Sequence, residues 1–215
     1  MLNRRQFLTA TLAFTSLSVL GMSACSNSPN HANIAKSSKV IALGDSLTFG
    51  YGATPDTAYP TVLAQKTGWQ IDNAGINGDT SAGVLARVDK IIAQNPKLIL
   101  LGIGGNDVLR RVNPSETTSN INQTLDKIKS ANIPVVLIAE PYFSTSALFS
   151  SASDNPIYET IAKEKNVPLF AKGDGGWSDI LSDKSLKSDQ IHANAQGYAK
   201  FADNLYEFLK KQGFA

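Results

Sequence analysis

Cysteine and histidine are scarce in this 215-residue sequence, with one and two copies respectively. A single cysteine excludes an intramolecular disulfide and a cysteine-rich metal site. His31 lies in a polar N-terminal stretch, so only His192 remains as a usable imidazole, and no metal or other cofactor is expected. Charge is also sparse: the formal net charge is +2. Two of the 20 basic residues, Arg4 and Arg5, fall in the first 24 positions; the rest balance the 18 acidic residues, all of which lie later. No basic stripe is left to attract nucleic acid. The phosphate-binding motifs are missing too, since Gly102-Ile103-Gly104-Gly105 lacks the final glycine spacing of a dinucleotide fingerprint and no P-loop occurs. There is no internal repeat, and the one long uncharged stretch, residues 7–20, is short and diluted by Thr and Ser.

That stretch, preceded by Arg4-Arg5 and followed by small residues up to Cys25, reads as an export signal rather than a membrane span. Asn3-Arg4-Arg5-Gln6-Phe7-Leu8 resembles a twin-arginine signal, and Met22-Ser23-Ala24-Cys25 resembles a bacterial lipobox. Residues 1–24 are therefore expected to be a signal peptide and Cys25 a lipidation site, with two buried acyl chains giving a firm anchor. The competing reading is a soluble secreted protein with an incidental cysteine. Residues 25–38 are polar and aperiodic, a tether. Residues 39–215 suit one well-buried domain, expected as a monomer. An exported lipoprotein of the periplasm or cell surface follows, with the outer membrane favoured because Ser26, not aspartate, follows the cysteine.

From Lys39 onward, apolar runs alternate with helical patterns. Val40 to Leu43, Leu98 to Ile103 and Val135 to Ala139 are continuous apolar runs of the kind that form strands covered on both faces. Trp69 to Ala74 and Val167 to Phe170 are weaker candidates. Val84, Leu85, Val88, Ile91 and Ile92 fall on one face of a helix, as do Ile121, Leu125 and Ile128 after Pro114. Ile157, Ile161 and Ala162 form a shorter pattern, and Tyr198, Phe201, Ala202, Leu205 and Leu209 a last one. Strands alternating with helices predict an α/β fold with a parallel sheet between helical layers.

Ligands of an open parallel sheet bind at the carboxyl ends of its strands. Three turns follow predicted strands: Gly44-Asp45-Ser46-Leu47, Asn77-Gly78-Asp79-Thr80-Ser81 and Gly104-Gly105-Asn106-Asp107. Each can present backbone N–H groups and short side chains at one edge, though such turns usually do no more than connect. A nucleophilic serine needs a base, and His192 is the one histidine in the expected domain. Asp189, three residues upstream, can orient the ring. Alone, Asp-x-x-His is more often a local hydrogen bond; with a turn serine, catalysis is favoured. The G-x-S-x-G elbow is absent, because Leu47-Thr48 follow Ser46.

GDSLTFG, NGDTS, GGND and DQIH, in this order from about Val40 to Ala199, resemble the four blocks of the SGNH/GDSL hydrolases, with the bacterial thioesterase–lysophospholipase (arylesterase-like) branch most similar. The resemblance implies a three-layer α/β/α sandwich with a mostly parallel, flavodoxin-like, five-stranded sheet. It further implies Ser46 as nucleophile, His192 and Asp189 as its partners, and an oxyanion hole of the Ser46 and Gly78 N–H groups with the Asn106 amide. Ala193 departs from the family's common proline, which puts the stiffness of the His192 loop in question. Asp45, Asp79 and Asp107 are expected to brace loops.

Val108 and Leu109 match the place where such relatives contact an acyl chain, but they read equally well as the lead-in to a helix. Pro141-Tyr142-Phe143 and Trp177 either line the mouth of the site or pack. Three functions compete: an esterase of short- to medium-chain acyl substrates such as aryl esters and lysophospholipids, with thioesters included; a carbohydrate O-acetylesterase; and a non-catalytic surface lipoprotein.

Overall fold

The computed structural model describes residues 33–142 and 152–215. Its centre is built from the apolar runs. β1 (Lys39–Gly44), β2 (Gln70–Gly75), β3 (Leu98–Gly102), β4 (Val135–Ile138) and β5 (Leu169–Phe170) form one sheet in the order β2-β1-β3-β4-β5, and all four pairings are parallel. Side chains alternate across a strand, so each buried strand feeds two cores. Val40, Ala42, Leu98, Leu100, Val136 and Ile138 enter one; Ile41, Leu43, Ile99, Leu101 and Leu137 enter the other.

The helices are α1 (Ser46–Phe49), α2 (Tyr59–Thr67), α3 (Ser81–Ile92), α4 (Gly105–Leu109), α5 (Pro114–Ser130), α6 (Ile157–Lys165), α7 (Trp177–Ser182) and α8 (Ala195–Lys211). Helices α3, α5 and α6 cover one face with an aliphatic layer that includes Val88, Ile121, Leu125 and Ile161. Helices α2, α7 and α8 cover the other with an aromatic layer, in which Trp177 stacks on Phe201 with ring centroids 3.5 Å apart. This is the three-layer sandwich expected from the four motifs. Among the described residues, no helix is long and apolar enough to cross a membrane. The signal, Cys25 and His31 lie outside the described residues, as does Phe143.

The differences from the sequence reading are local. β5 holds only two residues in register with β4, not the four of Val167 to Phe170, because Pro168 has no N–H to give a ladder and contributes only its carbonyl, to Leu137. Trp69 precedes β2 and is buried, its indole N–H donating to the Ile34 carbonyl at 3.1 Å. Helices α2 and α7 were not expected. The buried face of α2 is Tyr59, Leu63 and Thr67, and a threonine hides the period; α7 is only six residues long.

The strand order reverses between β1 and β3, the place where such sheets open a crevice. The backbones close up at this edge. A side chain on Gly44 would place its Cβ 2.3 Å from the Gly102 carbonyl oxygen, so only glycine fits where β1 runs out beside β3.

Candidate active site

Ser46 opens α1 directly after β1, and Asp45 caps that helix by accepting the Leu47 N–H at 3.0 Å. Opening a helix leaves the Ser46 N–H without an intrahelical acceptor. The loop before α8 brings His192 across 146 residues, and its Nε2 lies 3.0 Å from Ser46 Oγ. On the other side of the ring, Nδ1 lies 2.7 Å from Asp189 Oδ2. With Nδ1–H donated to the carboxylate, Nε2 is the acceptor for the serine hydroxyl proton. Partial burial pushes the Asp189 carboxyl up. Hydrogen bonds from the imidazole and from the Ile191 and His192 N–H groups outweigh it and hold the carboxyl below the usual range.

Gly78 follows β2 at the same edge with φ of +75°, a conformation that glycine adopts without strain. Its N–H donates to no acceptor among the described residues, while its carbonyl accepts from Arg110 Nη2 at 2.6 Å. Asn106 lies in α4, half-buried, and its Nδ2 donates to Asp45 Oδ2 at 2.9 Å. The second N–H of that amide is thus free to serve the pocket beside Ser46. All five motif-derived residues therefore sit at one end of the sheet, with Ser46, His192 and Asp189 linked in a single relay.

The three other aspartates brace this edge. Asp107, buried, accepts from the Ser81 N–H at 2.8 Å and from Thr117 Oγ1 at 3.2 Å, tying the starts of α3, α4 and α5 together. Asp79 accepts from Arg87 Nε at 2.9 Å, and the same guanidinium reaches the Gly44 carbonyl at 3.0 Å. Asp45 holds both the Leu47 N–H and Asn106. The loop around Ala193 is stiffened without proline. Ser188 N–H donates to the His192 carbonyl, Asn194 N–H to Leu186, and the Asn194 amide to the Ser185 and Lys187 carbonyls.

Val108 is half-buried and Leu109 is exposed at the end of α4. Phe49, Tyr51, Ile76 and Tyr142, which follow β1, β2 and β4, are likewise exposed large apolar residues near this edge. Trp177 does not line the mouth: it is buried against Phe201, Tyr59 and Tyr198. Pro141 is buried as well. An open cleft of about 400 Å³ lies against Asp189, lined by Lys184, Lys187, Ser188 and Gln190. A cavity of about 500 Å³ at the opposite end of the strands, lined by Ile34, Pro96, Pro134 and Phe214, is remote from Ser46 and His192.

Three residues near the site are not singled out by the sequence. The Tyr51 ring lies 4.4 Å from the His192 ring. Arg110 reads as a solvated arginine but clips the Gly78 carbonyl. Glu140, at the end of the apolar β4 run, is buried behind Asp45; a charge abutting such a run was the one hint.

The GDSL-like Lipase/Acylhydrolase family matches residues 42–200. The chain is 32% identical over 177 residues to "Thioesterase 1/protease 1/lysophospholipase L1" of Escherichia coli (strain K12), covering 79% of this chain and 82% of that protein. It is 34% identical over 108 residues to "Arylesterase" of Vibrio mimicus, covering 47% and 54%. Among solved structures, the psychrotrophic esterase EstA from Pseudoalteromonas sp., inhibited by monoethylphosphonate, superposes with a TM-score of 0.68 at 25% identity, covering 81% of this chain and 97% of that one. Sequence blocks, sheet order and relatives agree: the chain belongs to the GDSL-like lipase/acylhydrolase family and is a carboxylic ester hydrolase.

Proposed function

We propose that the protein hydrolyses short- to medium-chain acyl esters, including aryl esters, lysophospholipids and thioesters, through an acyl intermediate on Ser46. The observation that carries the reading is the continuous relay Ser46 Oγ–His192–Asp189, at 3.0 and 2.7 Å. His192 Nε2 removes the hydroxyl proton as Ser46 attacks the acyl carbon. The imidazolium, stabilised by Asp189, then gives that proton to the departing alcohol or thiol. The negative charge on the carbonyl oxygen is received by the Ser46 and Gly78 N–H groups and the Asn106 amide. Water then attacks the acyl carbon and gives a proton to His192; the Ser46 Oγ–acyl bond breaks, His192 returns the proton to Oγ, and the acid leaves.

Leu109, Phe49, Ile76 and Tyr142 supply apolar surface for an acyl or aryl group, with Val108 beside them. That surface favours an acyl chain over the short polar cleft that a carbohydrate O-acetylesterase would need. The activities for which the relatives are named, thioesterase, lysophospholipase and arylesterase, point the same way. We further propose export through the residue 1–24 signal, lipidation at Cys25, a periplasmic or cell-surface location favouring the outer membrane, and a monomer. Incorporation of labelled palmitate that is lost in Cys25→Ser tests the anchor.

The deciding experiment is initial rates on p-nitrophenyl esters from acetyl to palmitoyl beside Ser46→Ala. A serine-dependent optimum at medium length supports the proposal. Activity on acetyl alone moves the assignment to O-acetyl esters, and serine-independent rates sink the triad.

A further inference from the structure

The described residues hold a pair of buried acidic side chains that the mechanism above does not use. Asp45 follows β1 and Glu140 follows β4; they are 2% and 1% exposed. Glu140 Oε2 accepts the Gly105 N–H at 2.6 Å, whereas Oε1, buried, finds no N–H or O–H donor among the described residues. Asp45 Oδ2 and Glu140 Oε2 accept from consecutive residues, Asn106 Nδ2 at 2.9 Å and the Gly105 N–H at 2.6 Å, so the two carboxyls are neighbours at the start of α4.

Two carboxylates can bond only if one carries a proton, and two bare charges at that separation in a dry interior repel strongly. The donor pattern says which one keeps the proton. Asp45 already accepts from two N–H groups, Leu47 and Asn106, one on each oxygen, the pattern of an ionised carboxylate. Glu140 accepts from one, leaving Oε1 as the oxygen with room for a hydrogen. Glu140 then joins the two sides of the oxyanion hole, accepting from the backbone of Gly105 and donating to the carboxylate that holds the neighbouring Asn106.

We propose that Glu140 is a positioning residue of the oxyanion hole, a neutral carboxylic acid whose O–H donates to Asp45 and, through Asp45, fixes the Asn106 amide. The surroundings agree. Burial pushes Glu140 well above its ordinary value, with Asp45 and Asp107 adding to the rise, and burial pushes Asp45 up to about 6. Among the described residues, Tyr158 from α6, Tyr59 from α2, Tyr198 from α8 and His192 also interact with the pair, and of these His192 alone can carry a positive charge. The proton therefore takes the place of a counter-ion. This inference rests on the Ser46–Asn106 reading of the site.

Glu140→Gln and Glu140→Met in the full chain test it. Glutamine keeps an acceptor for Gly105 and a donor for Asp45, so kcat is expected within about threefold of wild type, the cost of one neutral hydrogen bond replacing another. Methionine keeps the length and loses both, and kcat is expected to fall about ten- to a hundredfold, part of the loss that follows removal of an oxyanion donor. KM stays within about threefold, and the same substitution in an Asn106→Ala background has no further effect, as coupled residues require. Wild-type kcat in Glu140→Met, equal losses in both variants, or an undiminished loss in the Asn106→Ala background would overturn the proposal.

A second measurement stands even if the methionine variant does not fold. The infrared difference spectrum of wild type minus Glu140→Gln at neutral pH should contain the C=O stretch of a protonated carboxyl, and its absence refutes the shared proton. That spectrum is independent of turnover. Were Ser46→Ala to keep activity, the site reading would fail while the carboxyl pair could still be present.

Discussion

The Tyr51 ring sits 4.4 Å from the His192 imidazole, tilted by 40°, and its backbone carbonyl accepts the Tyr198 hydroxyl at 2.8 Å. The base is thus held by Asp189 on one side and by an aromatic wall anchored to α8 on another. A ring contact of this kind contributes about 1 kcal/mol, or about fivefold in rate if it is spent on orientation. Tyr51→Ala is expected to lower kcat by about that factor, while Tyr51→Phe, which keeps ring and backbone, retains most of it. Equal rates for all three proteins would remove Tyr51 from the site.

Each member of the relay has a distinct expected loss. Ser46→Ala and His192→Gln should reduce turnover of p-nitrophenyl esters to near background without changing the far-ultraviolet spectrum. Asp189→Asn should cost up to about 10⁴-fold in kcat, because the wrong tautomer of His192 then faces Ser46. Labelling of Ser46 by a fluorophosphonate reads the same order, and full labelling of His192→Gln would contradict it.

Asn106→Ala and Gly78→Ala are expected to differ in what they cost the fold. Asn106→Ala is expected to lower kcat about 10²–10³-fold with Tm nearly unchanged. At Gly78 a Cβ would meet only Arg110 Nη2, at 3.3 Å, so the cost of Gly78→Ala lies in the positive φ. That cost is about 1–2 kcal/mol, seen as a lower Tm together with lower kcat. An Asn106→Ala protein with undiminished kcat would exclude the amide from the hole.

Chain-length preference should follow the apolar rim. Each methylene buried against it contributes about 0.8 kcal/mol. Leu109→Ser is therefore expected to lower kcat/KM for octanoyl esters about tenfold while barely affecting acetyl esters. A uniform loss across chain lengths would mean that Leu109 never meets the acyl group.

The buried acid pair sets a pH dependence of stability. The folded-state values of both Glu140 and Asp45 are raised, Asp45 to about 6. The folded protein therefore binds protons that the unfolded chain releases, and stability falls as pH rises from the unfolded values, near 4, through the folded ones. Every unit of elevation costs about 1.4 kcal/mol once the group must ionise, or about 3–6 °C in Tm for a domain of this size. Between about pH 5 and about pH 8, Tm of Glu140→Gln should decline less than that of the wild type; parallel curves would show that Glu140 contributes no such term.

How far the sequence could be read depended on how local each feature is. The strands were legible because Val40–Leu43, Leu98–Ile103 and Val135–Ala139 are continuous runs, and their outer residues alone shifted. Ser46 and His192 were legible because one histidine was available and one block named the serine. Their joining across 146 residues depends on the strand order, which no local pattern encodes. Trp177 looked as much like a pocket wall as a core residue, since an aromatic after a glycine-rich loop fits both; only its stack on Phe201 decides. Arg110, Tyr51 and Glu140 act through partners 32, 141 and 95 positions away, and such pairings are properties of the folded chain.

Ser46 and His192 hang from parts of unequal permanence. Ser46 is fixed to β1, bonded on both edges by β2 and β3, whereas His192 rides on an irregular loop kept in place by a handful of hydrogen bonds. Amides at the middle of a sheet exchange only when the whole domain opens, while loops part from their neighbours at far lower cost. Warming is therefore expected to free the His192 imidazole while Ser46 still stands on β1, so that ester turnover is lost at a lower temperature than the sheet.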